Sequence, residues 1–143
     1  MKCLSLKQPW AYLLLAPPLI PGIPPKRIEN RDWPLPESFK LPQRIKIHAS
    51  KTLDLDAFDW IAKEISPELA AGLDKLEAAG KLTLGAIVGE TDVIGMMTGE
   101  RMRIEGTPGI WYVGRYGFVT ANPMIYAKPI PCLGRLGFFE VKI

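Results

Sequence analysis

The sequence predicts a single α+β domain over residues 1–143, built on a small, curved or closed sheet with an N-terminal helix and a helical segment inserted mid-chain. Three observations point there. Hydrophobic residues make up 48% of the 143 and charged residues 23%, which suits a soluble globular chain with one core and leaves too little for two. Fourteen prolines and thirteen glycines interrupt the chain too often for a helical bundle and fit short strands joined by turns. The apolar period also changes along the chain, from strand-like at both ends to helical in the middle.

Taken in order, "KCLSL" reads as a first strand. Gln8-Pro9-Trp10 opens a helix, with Pro9 suited to a first helical position and Trp10, Leu13 and Leu14 on one face. "APPLIPGIPP" ends that helix in a stiff loop, because proline lacks the N–H that a helix needs. "RIENRDW" resumes as an extended segment, closed by Pro34 and Pro36. In "RIKIHAS" strict alternation puts Ile45 and Ile47 on one face and Arg44, Lys46 and His48 on the other.

Two amphipathic helices follow. The first carries Leu55, Phe58, Ile61 or Ala62, and Ile65 after Thr52, and the second carries Leu69, Leu73 and Leu76 after Ser66-Pro67 and before Gly80. Their acidic residues, Asp54, Asp56, Asp59, Glu64, Glu68 and Glu77, fall mostly on the solvent side, so packing is the function expected of these helices. "LGAIVGETDVIGMM" is a long strand with glycines at 85, 89 and 95, where bulges are expected. "YGFVTA", "IYAKPI" and "GFFEVKI" supply further strands.

Charge is unevenly spread. Residues 1–51 hold nine Lys/Arg against three Asp/Glu, residues 52–80 two against seven, and the remainder seven against five. A basic first third is the footprint of a surface that meets phosphate, although a pI near 8.9 alone requires no partner. Cys3 and Cys132 form no C-x-x-C pair and His48 is the only histidine, so no tetrahedral zinc site of Cys and His is expected. The thiols read as buried residues of a reducing compartment, with a disulfide between them as the alternative. The N-terminal apolar run is too short and too interrupted by proline for a signal peptide, and no stretch reaches the ~20 apolar residues of a membrane span. A cytoplasmic protein without cofactor or metal is expected.

Six blocks, "LSLKQPWA", "KRIENRDW", "KIHASK", "LGAIVGETDVIG", "WYVGRYGFVTANP" and "PIPCLGRLGFFEV", occur in an order that resembles the ASCH domain family. The loop at 16–25, the helices at 53–80 and residues 97–109 lack a counterpart. The resemblance implies a small PUA-like β-barrel with a cleft beside the first helix that binds RNA or another single-stranded nucleic acid. A branch of the family hydrolyses the acetyl amide of acetylcytidine with a lysine, a threonine and a strand glutamate. Carried over, the lysine falls on Lys26, the arginine of that motif on Arg31 and the strand glutamate on Glu90, while Glu29 stands at the threonine position. A carboxylate is a poor nucleophile toward an amide, so Glu29 argues against the covalent hydrolase.

These considerations give ten candidate site residues. Lys26 and Arg31 offer a point charge and a planar fork to phosphate or a base edge, or else protect an exposed strand edge. Glu29 orients Arg31 or accepts from a base amine. Glu90 interrupts an apolar strand and calls for a partner, for which Lys26 or Arg31 would serve. His48, Ser50 and Lys51 end a strand at the rim of the inferred cleft. Trp10 is placed to stack on a base, Trp60 and Trp111 read as structural, and Tyr116 in "GRYGF" marks a turn that aims Arg115 at a ligand.

The expected function is therefore a module that binds RNA or a modified nucleotide in a basic cleft. The competing classes are an enzyme, with Lys26, Glu29 and Glu90 as candidate catalytic groups, and a peptide-binding module; the enzyme would be a hydrolase on a modified nucleoside of the acetylcytidine type or an RNA nuclease using Lys26 and Glu90 as acid and base.

Overall fold

A computed structural model describes residues 1–99 and 108–142. Six strands, β1 (Lys2–Gln8), β2 (Ile28–Arg31), β3 (Gln43–Leu53), β4 (Ala86–Thr98), β5 (Tyr116–Pro131) and β6 (Phe138–Glu140), form one mixed sheet in the order β2-β5-β4-β3-β1-β6. Only β1 and β3 run parallel. The helices are α1 (Trp10–Leu15), α2 (Leu55–Glu64) and α3 (Pro67–Ala78), and a short 3-10 turn covers Pro108–Trp111. The protein is thus α+β, as its sequence predicts. None of its described helices is long and apolar enough to cross a membrane.

Helix α1 lies between the sheet and the other two helices. Ala11, Leu14 and Leu15 pack on Leu4, Leu6, Ile45, Ile47, Val88, Val93 and Phe118 of the sheet. Leu13 turns the other way, into a second cluster with Ile61, Leu69, Leu73 and Trp111. Side chains hold α1 at both ends. Gln8 accepts the Tyr12 N–H at 2.9 Å, satisfying an otherwise unpaired amide of the first turn. Arg27 donates to the carbonyls of Leu13, Leu14 and Ala16, placing a cation at the negative end of the helix. That anchor fixes the chain just before β2. Ser66 caps α3 by accepting the Leu69 N–H, with Pro67 at the first helical position.

The sheet has two ends, β2 and β6, with no ladder between them among the described residues. Side chains nevertheless bring the ends together. Trp33, just past β2, packs edge-on against Phe118 at 5.4 Å and against Phe138 of β6 at 5.8 Å, and Arg31 donates to the Ser5 carbonyl of β1. The sheet is therefore strongly curled.

Several local expectations are corrected. "YGFVTA" and "IYAKPI" form one continuous strand, β5, because Asn122 (φ +54) takes up a bulge and the β4–β5 register shifts three times. Tyr116 and Gly117 are likewise strand residues, opposite Arg31 and Asn30. A Cβ at Gly117 would stand 2.8 Å from both Ile28 and Tyr112, so glycine serves close packing here. Leu55 is exposed, and Ala57 and Ile61 carry the buried face of α2. The second face of β3 is covered: Lys46 is buried and donates to the Tyr126 hydroxyl, and His48 is 1% exposed. Beneath that face Cys3 and Cys132 belong to one small cluster as free thiols, and burial pushes the Cys3 thiol up to about 12. Ile143 lies outside the described residues.

Candidate ligand site

Two cavities meet at the N-terminal end of α1. The inner one, about 340 Å³, is walled by Trp10, Trp60 and Trp111 together with Lys26, Glu29, Asn30, Asp54 and Asp56. The outer one is an open groove of about 750 Å³ along Ser5, Lys7, Arg31, His48, Ser50, Lys51 and the Leu133–Gly137 segment. Trp10, Glu29, Asn30 and Asp54 line both, so the two spaces share a wall and form one site.

Strand β2 supplies the centre of that wall. Its alternation carries Glu29 and Arg31 on one face. Lys26, held just before the strand by the Arg27 anchor, is 3% exposed rather than at the surface. Its Nζ donates to the Ile28 carbonyl and to Glu29 Oε1 at 3.4 Å, and stands 5.4 Å from the Trp10 ring centre. Burial lowers the Lys26 pKa from the ordinary lysine value; Glu29 opposes the shift, and Arg31 and Arg27 add to it. Arg31 Nε donates to Glu29 Oε2 at 2.9 Å, and a second nitrogen reaches the Ser5 carbonyl at 2.8 Å. Glu29 thus has one cation on each oxygen: buried Lys26 on one and half-buried Arg31 on the other.

Trp10 donates its indole N–H to Asp54 Oδ2 at 2.9 Å and meets Trp60 edge-on at 6.0 Å. Asn30 ties β2 to the 3-10 turn, donating to the Trp111 carbonyl and accepting the Val113 N–H. His48 is a strut. Its Nε2 faces the Cys132 carbonyl at 2.7 Å, and a carbonyl can only accept, so Nε2 bears the proton. Nδ1 then accepts the Ser5 hydroxyl at 2.8 Å. Gly134 lies on this pair: a Cβ there would be 2.7 Å from Ser5 Oγ and from His48 Cε1. The histidine therefore supports the groove floor from beneath, joining β1, β3 and the C-terminal segment.

Of the ten sequence candidates, seven surround the two cavities: Trp10, Lys26, Glu29, Arg31, His48, Ser50 and Lys51. Three do not. Glu90 sits between Lys46 and Met124 in the sheet and pairs with Arg44 at 3.5 Å, not with Lys26 or Arg31. Register shifts at Gly89 on both sides of β4 set its direction. Arg115 lies against Tyr116 at 5.6 Å, and neither lines either of these two cavities.

Sequence reasoning missed Asp54 and Asp56, read as solvated, and Trp60 and Trp111, read only as packing. It also missed Lys7, Asn30 and Arg135. The start of α2 meets Trp10 only after the fold brings β3 back past β1, through the bond from Asp54 N–H to the Gln8 carbonyl. No local pattern announces that meeting. Among the described residues no group of three or more His, Cys, Asp or Glu is arranged to hold a metal ion. No protein-family model matches the chain, and no curated protein matches it.

Proposed function

We propose that this chain is an ASCH-type module of the PUA-like kind that binds single-stranded RNA, or a modified nucleotide of it, in the cytoplasm. The observation that carries this reading is the joined pair of cavities. The inner one is aromatic and within the range of about 300–1,000 Å³ of small-molecule sites, so it suits a base. The outer one presents Lys7, Arg31, Lys51 and Arg135 along its length, which suits phosphates. The approach of the two sheet ends at Trp33 and Phe138 supports reading the curled sheet as a small barrel.

Two features weigh against a hydrolase or nuclease of the Lys26–Glu90 type. Glu29 occupies the nucleophile position with both oxygens paired, and Glu90 has Arg44 as its partner. A general acid and base must lie within reach of one reacting atom.

Fluorescence anisotropy with a short single-stranded RNA tests the proposal. Affinity should fall steeply between about 50 and 200 mM salt as counterions return to the phosphates. Lys51→Ala and Arg135→Ala should each flatten the log–log salt slope by roughly one unit. No binding at low salt, or affinity that ignores salt, overturns it.

A further inference from the structure

We infer that the inner cavity selects the base, taking one that presents amino and ring N–H donors, guanine foremost, and rejecting uracil. The inference rests on the nucleic-acid reading above and concerns the same site.

It follows from which polar atoms at the wall remain available. Four of its side-chain donor groups are engaged within the protein. Lys26 Nζ is held by the Ile28 carbonyl, Glu29 and the Trp10 ring. The indole N–H of Trp10 goes to Asp54, that of Trp111 to the Pro24 carbonyl at 2.8 Å, and the Asn30 amide to the Trp111 carbonyl. The charged side-chain acceptors at the wall are its carboxylates: Asp54, with one oxygen on Trp10, Asp56, exposed in the first turn of α2, and Glu29, which already takes a cation on each oxygen. An ionised carboxylate only accepts.

Formal charge sharpens the point. One cation and three carboxylates line the inner cavity, whereas Lys7, Arg31, Lys51 and Arg135 face two carboxylates in the groove. A nucleotide therefore lies with its phosphate in the groove and its base inside. Within that orientation the bases differ. Guanine carries N1–H and N2–H side by side, a pair that forks onto one carboxylate as a guanidinium does. Adenine and cytosine bring one amino group beside a ring acceptor. Uracil brings two carbonyl oxygens and a single N–H, so two acceptors would face carboxylates with nothing to pair them.

The experiment compares a short oligouridine RNA with the same oligomer carrying one central guanine, adenine or cytosine. The phosphate contacts stay constant throughout the series. We expect the guanine oligomer to bind roughly tenfold more tightly than oligouridine, in keeping with a good bidentate contact, with adenine and cytosine between them. In Asp54→Asn and in Asp56→Asn, which gain a donor at the wall, the guanine-to-uracil ratio should fall toward one in at least one variant. Equal affinity across the four oligomers overturns the inference and leaves the RNA-binding reading standing. Tightest binding by oligouridine, or a guanine advantage unchanged in both variants, also overturns it. Failure of every oligomer to bind overturns both.

Discussion

Two sets of paired charges in this molecule each join arginine to glutamate and live in different surroundings. In the Lys26–Glu29–Arg31 chain the ammonium and carboxylate side chains are 3% and 9% exposed, and only Arg31, at 21%, keeps water. In the set formed by Arg44, Glu90 and Asp92 every member keeps water, at 31%, 16% and 26%. Only the first set lines the cavities. Ion pairs as such therefore mark nothing; burial against a cavity wall does. A pair removed from water must be nearly complete to be tolerated, whereas a half-exposed pair is optional.

The largest expected effect comes from breaking the buried chain at its centre. Glu29→Gln removes the carboxylate that Lys26 and Arg31 share, and leaves a buried ammonium with Arg31 and Arg27 nearby. Loss of one partner of a buried pair costs about 3–5 kcal/mol. Urea unfolding at neutral pH should show that loss. A cost below about 1 kcal/mol would place this chain with the exposed set.

A smaller and more selective effect attends Lys26→Met. The lowered pKa of Lys26 means that the unfolded chain binds the proton more tightly than the folded one. Between the folded pKa and the ordinary lysine value of 10.5, stability then rises with pH, and it is lost again as pH falls through the folded pKa. Methionine has no proton to bind, and Glu29 keeps Arg31 at 2.9 Å. The methionine variant should therefore gain most over the wild type at neutral pH and below, and its advantage should shrink as pH climbs toward 10.5. Paired urea titrations along that range measure the difference directly. A gap independent of pH would mean that the ammonium sits comfortably in its pocket.

Much of the architecture was legible because it rests on local rules. Alternation in "RIKIHAS", the proline stop after α1 and the Ser66-Pro67 helix start each act over a few residues, and each is found where expected. Strand alternation likewise put Glu29 beside Arg31, which it holds, whereas its pairing with Lys26 was not anticipated. What was not legible depends on meetings between distant segments. Asp54 reads as one more acidic residue until Trp10 arrives at its carboxylate across 44 positions. Lys26 reads as exposed until the fold buries it beside Glu29 and the Trp10 ring. Glu90 misled for a related reason: strict alternation from Ala86 ignores the register shifts around Gly89, which send its side chain to Arg44. A period-two rule fails beyond a bulge because one extra residue reverses every later face.

The smallest expected effect, from Glu90→Gln, is also the one that separates the two sets most cleanly. Its carboxylate meets Arg44 Nε at 3.5 Å, at the long end for an ion pair, and its side chain remains 16% exposed. Removing it does not strand Arg44, whose NH1 still donates to Asp92 Oδ1 at 3.1 Å and to the Asn122 carbonyl at 2.8 Å. Asp92 is itself secured, its carboxyl held below the usual range by hydrogen bonds from Asn122 and Arg44. No charge is left buried and unpaired, so the variant should lose less than about 1 kcal/mol of stability, and less again in high salt. Glu90 touches neither cavity, so RNA affinity and its salt slope should match the wild type. Loss of RNA binding in a variant that melts like the wild type would instead draw Glu90 into the site. The distinction between the two sets would then rest on stability alone.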